Sequence, residues 1–297
     1  MKKIYKYRFF GSLIETNFSL DFLENVETPD APDLIISFET SLVDTIKIDP
    51  LSSNFVGNLI YYKDSDENLF KISKDAIEIV SSETNFFNLG LSLIGIPIGY
   101  YFFLNNLQVL HGSAVSIKNK AICFVGQSSI GKSVLSASLI SKEIKFISED
   151  LIILQNDFSL KKNANWVKLS QNLTSDNTNK MKASYPILKD KRDRFISLLD
   201  ESLIQNESAK ASLCYFPIWG ESLEIRETNI KDSFSFLLTN SYKQKKNNQS
   251  NEDHKKALNK ISNFIETTKC FIYQRTKDLS KLESNNHQLL EHIYKNI

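Results

Sequence analysis

The chain has 297 residues, 41% hydrophobic and 24% charged, enough for one large domain or two of ordinary size around a buried core. Its 36 basic and 35 acidic side chains leave a formal charge of +1, so no field of one sign covers the surface, and neither nucleic acid nor a membrane is the expected partner. Cys123, Cys214 and Cys270 form neither a paired zinc pattern nor a disulfide scaffold, which fits a reducing cytoplasm.

In chain order, charged Lys6 and Arg8 follow Met1-Lys2-Lys3 before any apolar run develops, so no targeting peptide is expected. From Tyr5 to about Val80, short apolar runs such as Leu34–Phe38 and Leu59–Tyr62 alternate with Asp, Asn, Ser and Pro clusters, predicting strands. Asn85–Leu104 reads as a helix or helix pair. Within it Leu89–Leu104 is strongly apolar, but it falls short of the roughly 20 residues a spanning helix needs, and Pro97 and glycines interrupt it. The expected division is a strand-rich unit over residues 1–87, a helical connection over 88–104, and a larger α/β unit over 105–297.

The larger unit opens with a strand over Val109–Ile117, a tight turn at Lys118-Asn119-Lys120 and a strand over Ala121–Val125. Cys123 lies in that apolar run and reads as a small buried hydrophobe. Gly126–Ile130 is a loop, and Leu135, Leu139 and Ile140 continue at helical spacing. A strand over Ile144–Ile147 ends in Glu149-Asp150 and resumes as Leu151–Leu154. Further on, strands are expected at Ala211–Ile218, Leu223–Glu227 and Cys270–Gln274, and helices at Ile230–Asn240 and Leu279–Ile293. Ser241–Lys256, polar and without apolar periodicity, reads as a loop.

Gly126-Gln127-Ser128-Ser129-Ile130-Gly131-Lys132-Ser133 matches GxxxxGK[ST] between a strand and a helix. In that pattern backbone N–H groups and a helix N-terminus, here including Val134, surround phosphates; the lysine adds charge and the hydroxyl reaches Mg²⁺. Ser129 stands where such loops often carry a glycine able to take a positive φ. Glu149 and Asp150, 17 and 18 residues after Lys132, are placed to hold Mg²⁺ or accept a proton. His111 precedes Gly112 in the neighbouring strand and is a candidate phosphate contact or proton carrier. His254, His287 and His292 read as surface residues. Lys191 and Arg192, in the basic run Lys189–Arg194, are weaker candidates for the transferring phosphate.

Leu110-His111-Gly112, Val125–Ser133 and Ser148-Glu149-Asp150 together resemble the His-Gly, phosphate-loop and paired-acid motifs of the HPr kinase/phosphorylase family. The resemblance implies a phosphoenolpyruvate carboxykinase-like fold and a Mg-ATP-dependent, serine-type kinase acting on a peptide, protein or small molecule. It further implies that Lys132 contacts the β and γ phosphates, that Ser133 and Asp150 serve the metal, and that Asp150, Glu149 and His111 serve the acceptor. The first acid of the pair is normally Asp in the family and is Glu149 here, which favours Asp150 as the base with Glu149 assisting. The glycine- and arginine-containing segment that follows in the bifunctional enzymes is not recognised after Asp150, so HPr itself is not the expected acceptor. Hexamers occur in that family, which leaves a homo-oligomer open. Two other readings stay open as well: a nucleotide-binding regulatory protein without transfer, and the reverse, phosphate-dependent reaction.

Overall fold

The computed structural model describes residues 3–39, 47–162, 165–176, 178–187, 192–242 and 251–297, without the side chains of 174–176, 178, 251–254 and 279. The chain divides into two compact units, residues 1–107 with 242–250 and residues 108–241 with 251–297.

In the first unit, β1 (Tyr5–Phe9), β2 (Ser12–Thr16), β3 (Leu34–Glu39), β4 (Ser52–Val56), β5 (Leu59–Lys63), β6 (Leu69–Ile72) and β7 (Ala76–Val80) build one sheet in the order β1-β2-β3-β7-β6-β5-β4. Period-two alternation places one face inside: on β7, Ile77 and Ile79 are buried while Glu78 is exposed. The expected helix pair is α1 (Phe86–Leu93) and α2 (Ile96–Leu104), with Asn85 capping the first through its side chain. The two axes bend by 43° at the break, and no single helix among the described residues is long and apolar enough to cross a membrane. Leu89, Leu93, Ile98 and Phe102 are buried in the unit's interior.

The second unit is mixed α/β. Its strands are β8 (Gln108–Ile117), β9 (Lys120–Val125), β10 (Ile144–Ser148), β11 (Leu151–Leu154), β12 (Ser159–Leu160), β13 (Trp166–Ser170), β14 (Met181–Pro186), β15 (Arg194–Leu199), β16 (Ala209–Trp219), β17 (Glu224–Glu227) and β18 (Lys269–Arg275). Helices α3 (Lys132–Leu139), α4 (Gln171–Asp176), α5 (Ile230–Thr239), α6 (Asn251–Thr267) and α7 (Leu282–Asn296) accompany them. In the main sheet β9 runs between β8, antiparallel, and β16, parallel; β18 continues parallel beyond β16. The β8–β9 connection has positive φ at both Lys118 (50°) and Asn119 (59°), the geometry a two-residue hairpin needs to match strand twist.

Side chains alternate between two cores. Ile122 and Phe124 of β9 pack with Leu135 and Leu139 of α3 and Leu289 and Ile293 of α7. Cys123 and Val125 face Leu237 of α5 and Ile261 and Phe264 of α6. Register sets Cys123, Cys214 and Cys270 side by side on this second face, all free and fully or nearly buried. There they fill volume as small hydrophobes.

Three readings of the sequence change. Helix α6 begins at Asn251, inside the stretch expected to be a loop, while residues 243–250 of that stretch lie outside the described residues. Its one-sided apolar stripe, Ile261 and Phe264, falls beyond the polar run, so the polar run hid the helix start. The last helix runs Leu282–Asn296 rather than from Leu279. His292 is half-buried, its Nδ1 2.8 Å from the Tyr215 hydroxyl and its ring 4.6 Å from that of Phe271, so it belongs to the α7 contact with the sheet. His287 is exposed as expected, and the side chain of His254 lies outside the described set.

Candidate functional site

The site forms where β9, an apolar strand buried on both faces, ends at Val125 and the chain turns through Gly126–Gly131 into α3. Two residues of the turn are left-handed, Ser129 at φ 66° and Gly131 at φ 85°. Ser129 therefore takes the backbone conformation for which glycine is otherwise favoured. A Cβ on Gly131 would also come within 2.5 Å of Arg275 Nη2.

Fixed strands brace the turn from both sides. The Gly126 N–H donates to the His111 carbonyl at 3.3 Å, and the Ser113 hydroxyl donates to the Lys132 carbonyl at 3.1 Å, tying both ends of the loop to β8. From the β18 side Arg275, 4% exposed, donates through Nη2 to the Ile130 carbonyl at 2.7 Å and reaches the Gly131 carbonyl at 3.3 Å. Its guanidinium lies 4.5 Å from the Trp219 ring centre. Helix α3 begins at Lys132 with no side-chain cap, so the first-turn amides of Lys132, Ser133 and Val134 have no intrahelical acceptor.

Lys132, 6% exposed, donates through Nζ to the Gln127 carbonyl at 2.8 Å and meets His111 Nε2 at 3.0 Å. Burial outweighs the attraction of Asp150 and Glu149 and pulls its pKa down to about 8. On its other edge His111 Nδ1 faces the Asp150 carbonyl at 3.1 Å. An ammonium donor on one nitrogen and a carbonyl acceptor on the other select the neutral Nδ1–H tautomer. Burial and the Lys132 charge lower the His111 pKa, in keeping with that neutral form.

Glu149 and Asp150 occupy a break in one strand. Strand β10 pairs with the end of β8 and β11 with its beginning, so the two acids bridge the interval beside His111. Asp150 has φ 61°, and the Leu151 N–H donates across it to the Glu149 carbonyl at 2.7 Å. This tight turn sends the two carboxyls to different surroundings. Glu149 is 1% exposed; burial and the neighbouring Asp150 raise its pKa, and the nearby Ser133 hydroxyl offsets part of the rise. The Asp150 side chain keeps 28% exposure and pairs with Lys168 of β13. Burial alone would raise the Asp150 pKa, but the Lys168 ammonium beside it, with Arg194 further off, holds it well below the usual carboxylate range.

The structure thus gathers His111, Lys132, Ser133, Glu149 and Asp150 around one loop. Arg192 joins at the loop's outer edge, its Nη1 donating to Ser129 Oγ at 3.0 Å; Lys191 lies outside the described residues. Three further basic residues join the site: Arg194 closes the basic run already noted in the sequence, while Lys168 and Arg275 escaped the sequence reading. Lys168 and Arg194 sit on β13 and β15 of a separate three-stranded sheet, β13-β15-β14, and Arg275 ends β18. No motif marks Lys168 or Arg275; Arg275 at the end of an apolar strand was the available signal.

Between the loop, the end of β16 and helix α5 lies a cavity of about 380 Å³, lined in part by Gly126, Gln127 and Ile130 and by neither Glu149 nor Asp150. Mg²⁺ normally takes one or two carboxylates with substrate phosphates and water. Ser133 beside two carboxylates fits that donor set, and among the described residues no cluster of three or more His, Cys, Asp or Glu offers an all-protein metal cage.

Comparison with known proteins agrees with the motif resemblance. Over 112 residues, 37% of this chain and 36% of the relative, it is 28% identical to HPr kinase/phosphorylase of Mycoplasmopsis pulmonis. The match therefore spans about a third of that curated relative. A structural alignment covers 63% of this chain and 97% of the Hpr(Ser) kinase/phosphatase from Coxiella burnetii, at 11% identity and a TM-score of 0.32, too loose a superposition to define a shared fold. No protein-family model matches the chain. In sequence, then, the chain is similar to the HPr kinase group.

Proposed function

We propose that the chain is a Mg-ATP-dependent phosphotransferase that places a phosphoryl group on a serine hydroxyl of a peptide, protein or small molecule. The observation that carries this reading is the convergence of Lys132, His111, Ser133 and a paired carboxylate on one strand-to-helix turn, with Lys132 Nζ 3.0 Å from His111 Nε2.

The first-turn amides of α3 and the Lys132 ammonium bind phosphate oxygens, for which the helix N-terminus is already polarised. Triphosphate offers Lys132 better partners than the Gln127 carbonyl and restores the charge that burial disfavours. Ser133 with Glu149 and Asp150 would hold Mg²⁺, which offsets charge on the transferring group. Only Asp150 of the two acids is open to solvent, so it is the one an incoming serine can reach. Asp150 accepts the hydrogen bond of that hydroxyl; as the serine oxygen bonds to the γ-phosphorus and the bond to ADP breaks, the proton leaves to the carboxylate. Lys168 keeps Asp150 ionised and aimed, and His111, neutral, orients Lys132.

Titration of the protein with ATP by calorimetry, with and without Mg²⁺, tests this directly. Mg²⁺-dependent binding is expected in the wild type and lost in Lys132→Ala; Asp150→Asn, which keeps the loop and Lys132, should still bind ATP, with a weaker dependence on Mg²⁺, and should transfer no labelled γ-phosphate to serine-containing peptides. A folded wild type that binds no ATP overturns the reading.

A further inference from the structure

We infer that the cavity beside the loop is the subsite for the nucleoside of the phosphate donor, separate from the acceptor's side. The inference rests on the kinase reading and adds to it where the donor's base lies.

The argument begins with position. The loop itself supplies one wall, through Gly126, Gln127 and Ile130, so a ligand whose phosphates lie on the loop has the cavity directly beside it. On the far side of β9 lie β8 and β11 with His111, Glu149 and Asp150, none of which lines the cavity. The loop thus separates an acidic, partly open side from an apolar recess, as a two-substrate transfer requires: one partner enters at the carboxylate and the other leaves its non-reacting part elsewhere. The recess also lies at the carboxyl ends of the parallel strands β9 and β16, where open α/β sheets place their ligands.

Chemistry narrows the ligand. At about 380 Å³ the recess is within the range of small-molecule sites and suits a nucleoside better than a folded segment of a protein acceptor. Ile130, Trp219 and Phe236 offer flat or branched apolar surface for a purine ring. Asp232, Ser235 and Thr239, at the α5 rim, offer acceptors and hydroxyls for an exocyclic amine or ribose hydroxyls. Arg275 links recess to loop, since it packs on Trp219 and holds the Ile130 and Gly131 carbonyls. Filling the recess is thereby coupled to the backbone that holds phosphate.

The probes are ATP and inorganic triphosphate, each with Mg²⁺, measured by calorimetry on the full chain and on Ser235→Trp and Thr239→Trp, two exposed α5 positions where added bulk projects into the recess without opening a core. The wild type should bind ATP at least about 10-fold more tightly than triphosphate. Both variants should erase that difference while binding triphosphate as the wild type does. Equal wild-type affinity for the two probes, or variants that keep the full preference for ATP, overturns the inference and leaves the loop reading intact. Loss of triphosphate binding in both variants also overturns it, because the recess would then be part of the loop's support. A wild type that binds neither probe removes the phosphate-loop reading first.

Discussion

Lys132 shows how a single residue carries opposing demands. Its ammonium is nearly buried, with a carbonyl and an imidazole nitrogen as hydrogen-bond partners, and its pKa falls from the ordinary 10.5 to about 8. That depression corresponds to a folded-state penalty of about 3 kcal/mol on the charged form. Below pH 8 the folded protein bears the penalty in full; as pH rises from 8 to 10.5 the folded lysine is neutral while the unfolded one still holds its proton, so stability recovers. Lys132→Met, similar in length and uncharged, is therefore expected to stabilise the ligand-free protein at pH 7 by about 1–3 kcal/mol while abolishing ATP binding. Paired denaturant titrations check this: the gap between variant and wild type should shrink between pH 8 and pH 10.5. Lys168→Met should act in the opposite sense, since it strips Asp150 of its ion-pair partner and leaves a partly buried carboxylate exposed to the burial penalty. With the Asp150 side chain 28% exposed, water softens the loss to about 1–2 kcal/mol at pH 7. The loss should fade as pH falls and the carboxylate protonates.

Among the elements, β8 does most to place the site. It presents His111, ties Gly126 through the His111 carbonyl and holds the start of α3 through Ser113. Gly112 sits in the middle of these contacts: a Cβ there would approach Ile152 Cδ1 to 2.6 Å and the Phe124 carbonyl to 2.8 Å. The isoleucine tip can turn aside, but the carbonyl belongs to β9 and cannot move without opening the β8–β9 ladder. Gly112→Ala is expected to cost about 1–3 kcal/mol in denaturant unfolding. It should also weaken ATP binding, because His111 and Gly126 shift with the ladder. The motif-bearing part of this element was legible in the sequence, since strand, two-residue turn, strand, loop and helix each carry a local signal, and His111 stands next to the glycine that closeness to β9 requires. Positive φ at Ser129 was legible too, from the place it occupies in the loop pattern. The basic side of the site was legible only in part, as the run Lys189–Arg194. Lys168 and Arg194 come from strands of the three-stranded sheet more than thirty residues after Lys132, and only tertiary pairing of β13 with β15 brings them toward Asp150. Arg275 arrives through the parallel register of β18 with β16, a pairing no local pattern specifies.

At the scale of the whole molecule, the chain makes two units of different construction. The first is a seven-stranded sheet with two apolar helices; the second carries every side chain that touches the Gly126–Ser133 loop in the contacts described. The second unit has its own two cores, one on each face of its main sheet, and these hold α3, α5, α6 and α7 without side chains from the first. A chain of residues 108–297, with 242–250 kept as the link between α5 and α6, is therefore expected to fold. Its ATP affinity should lie within about threefold of that of the full chain by calorimetry, a difference below 1 kcal/mol. The same fragment should separate the roles of the units in transfer. If acceptor recognition belongs to the first unit, the fragment keeps Mg²⁺-dependent ATP binding and loses phosphorylation of any acceptor that the full chain modifies. If the acceptor is held by the Asp150 side alone, both activities survive. A fragment that folds cooperatively but no longer binds ATP would show that the loop depends on the first unit, contrary to the placement of its contacts.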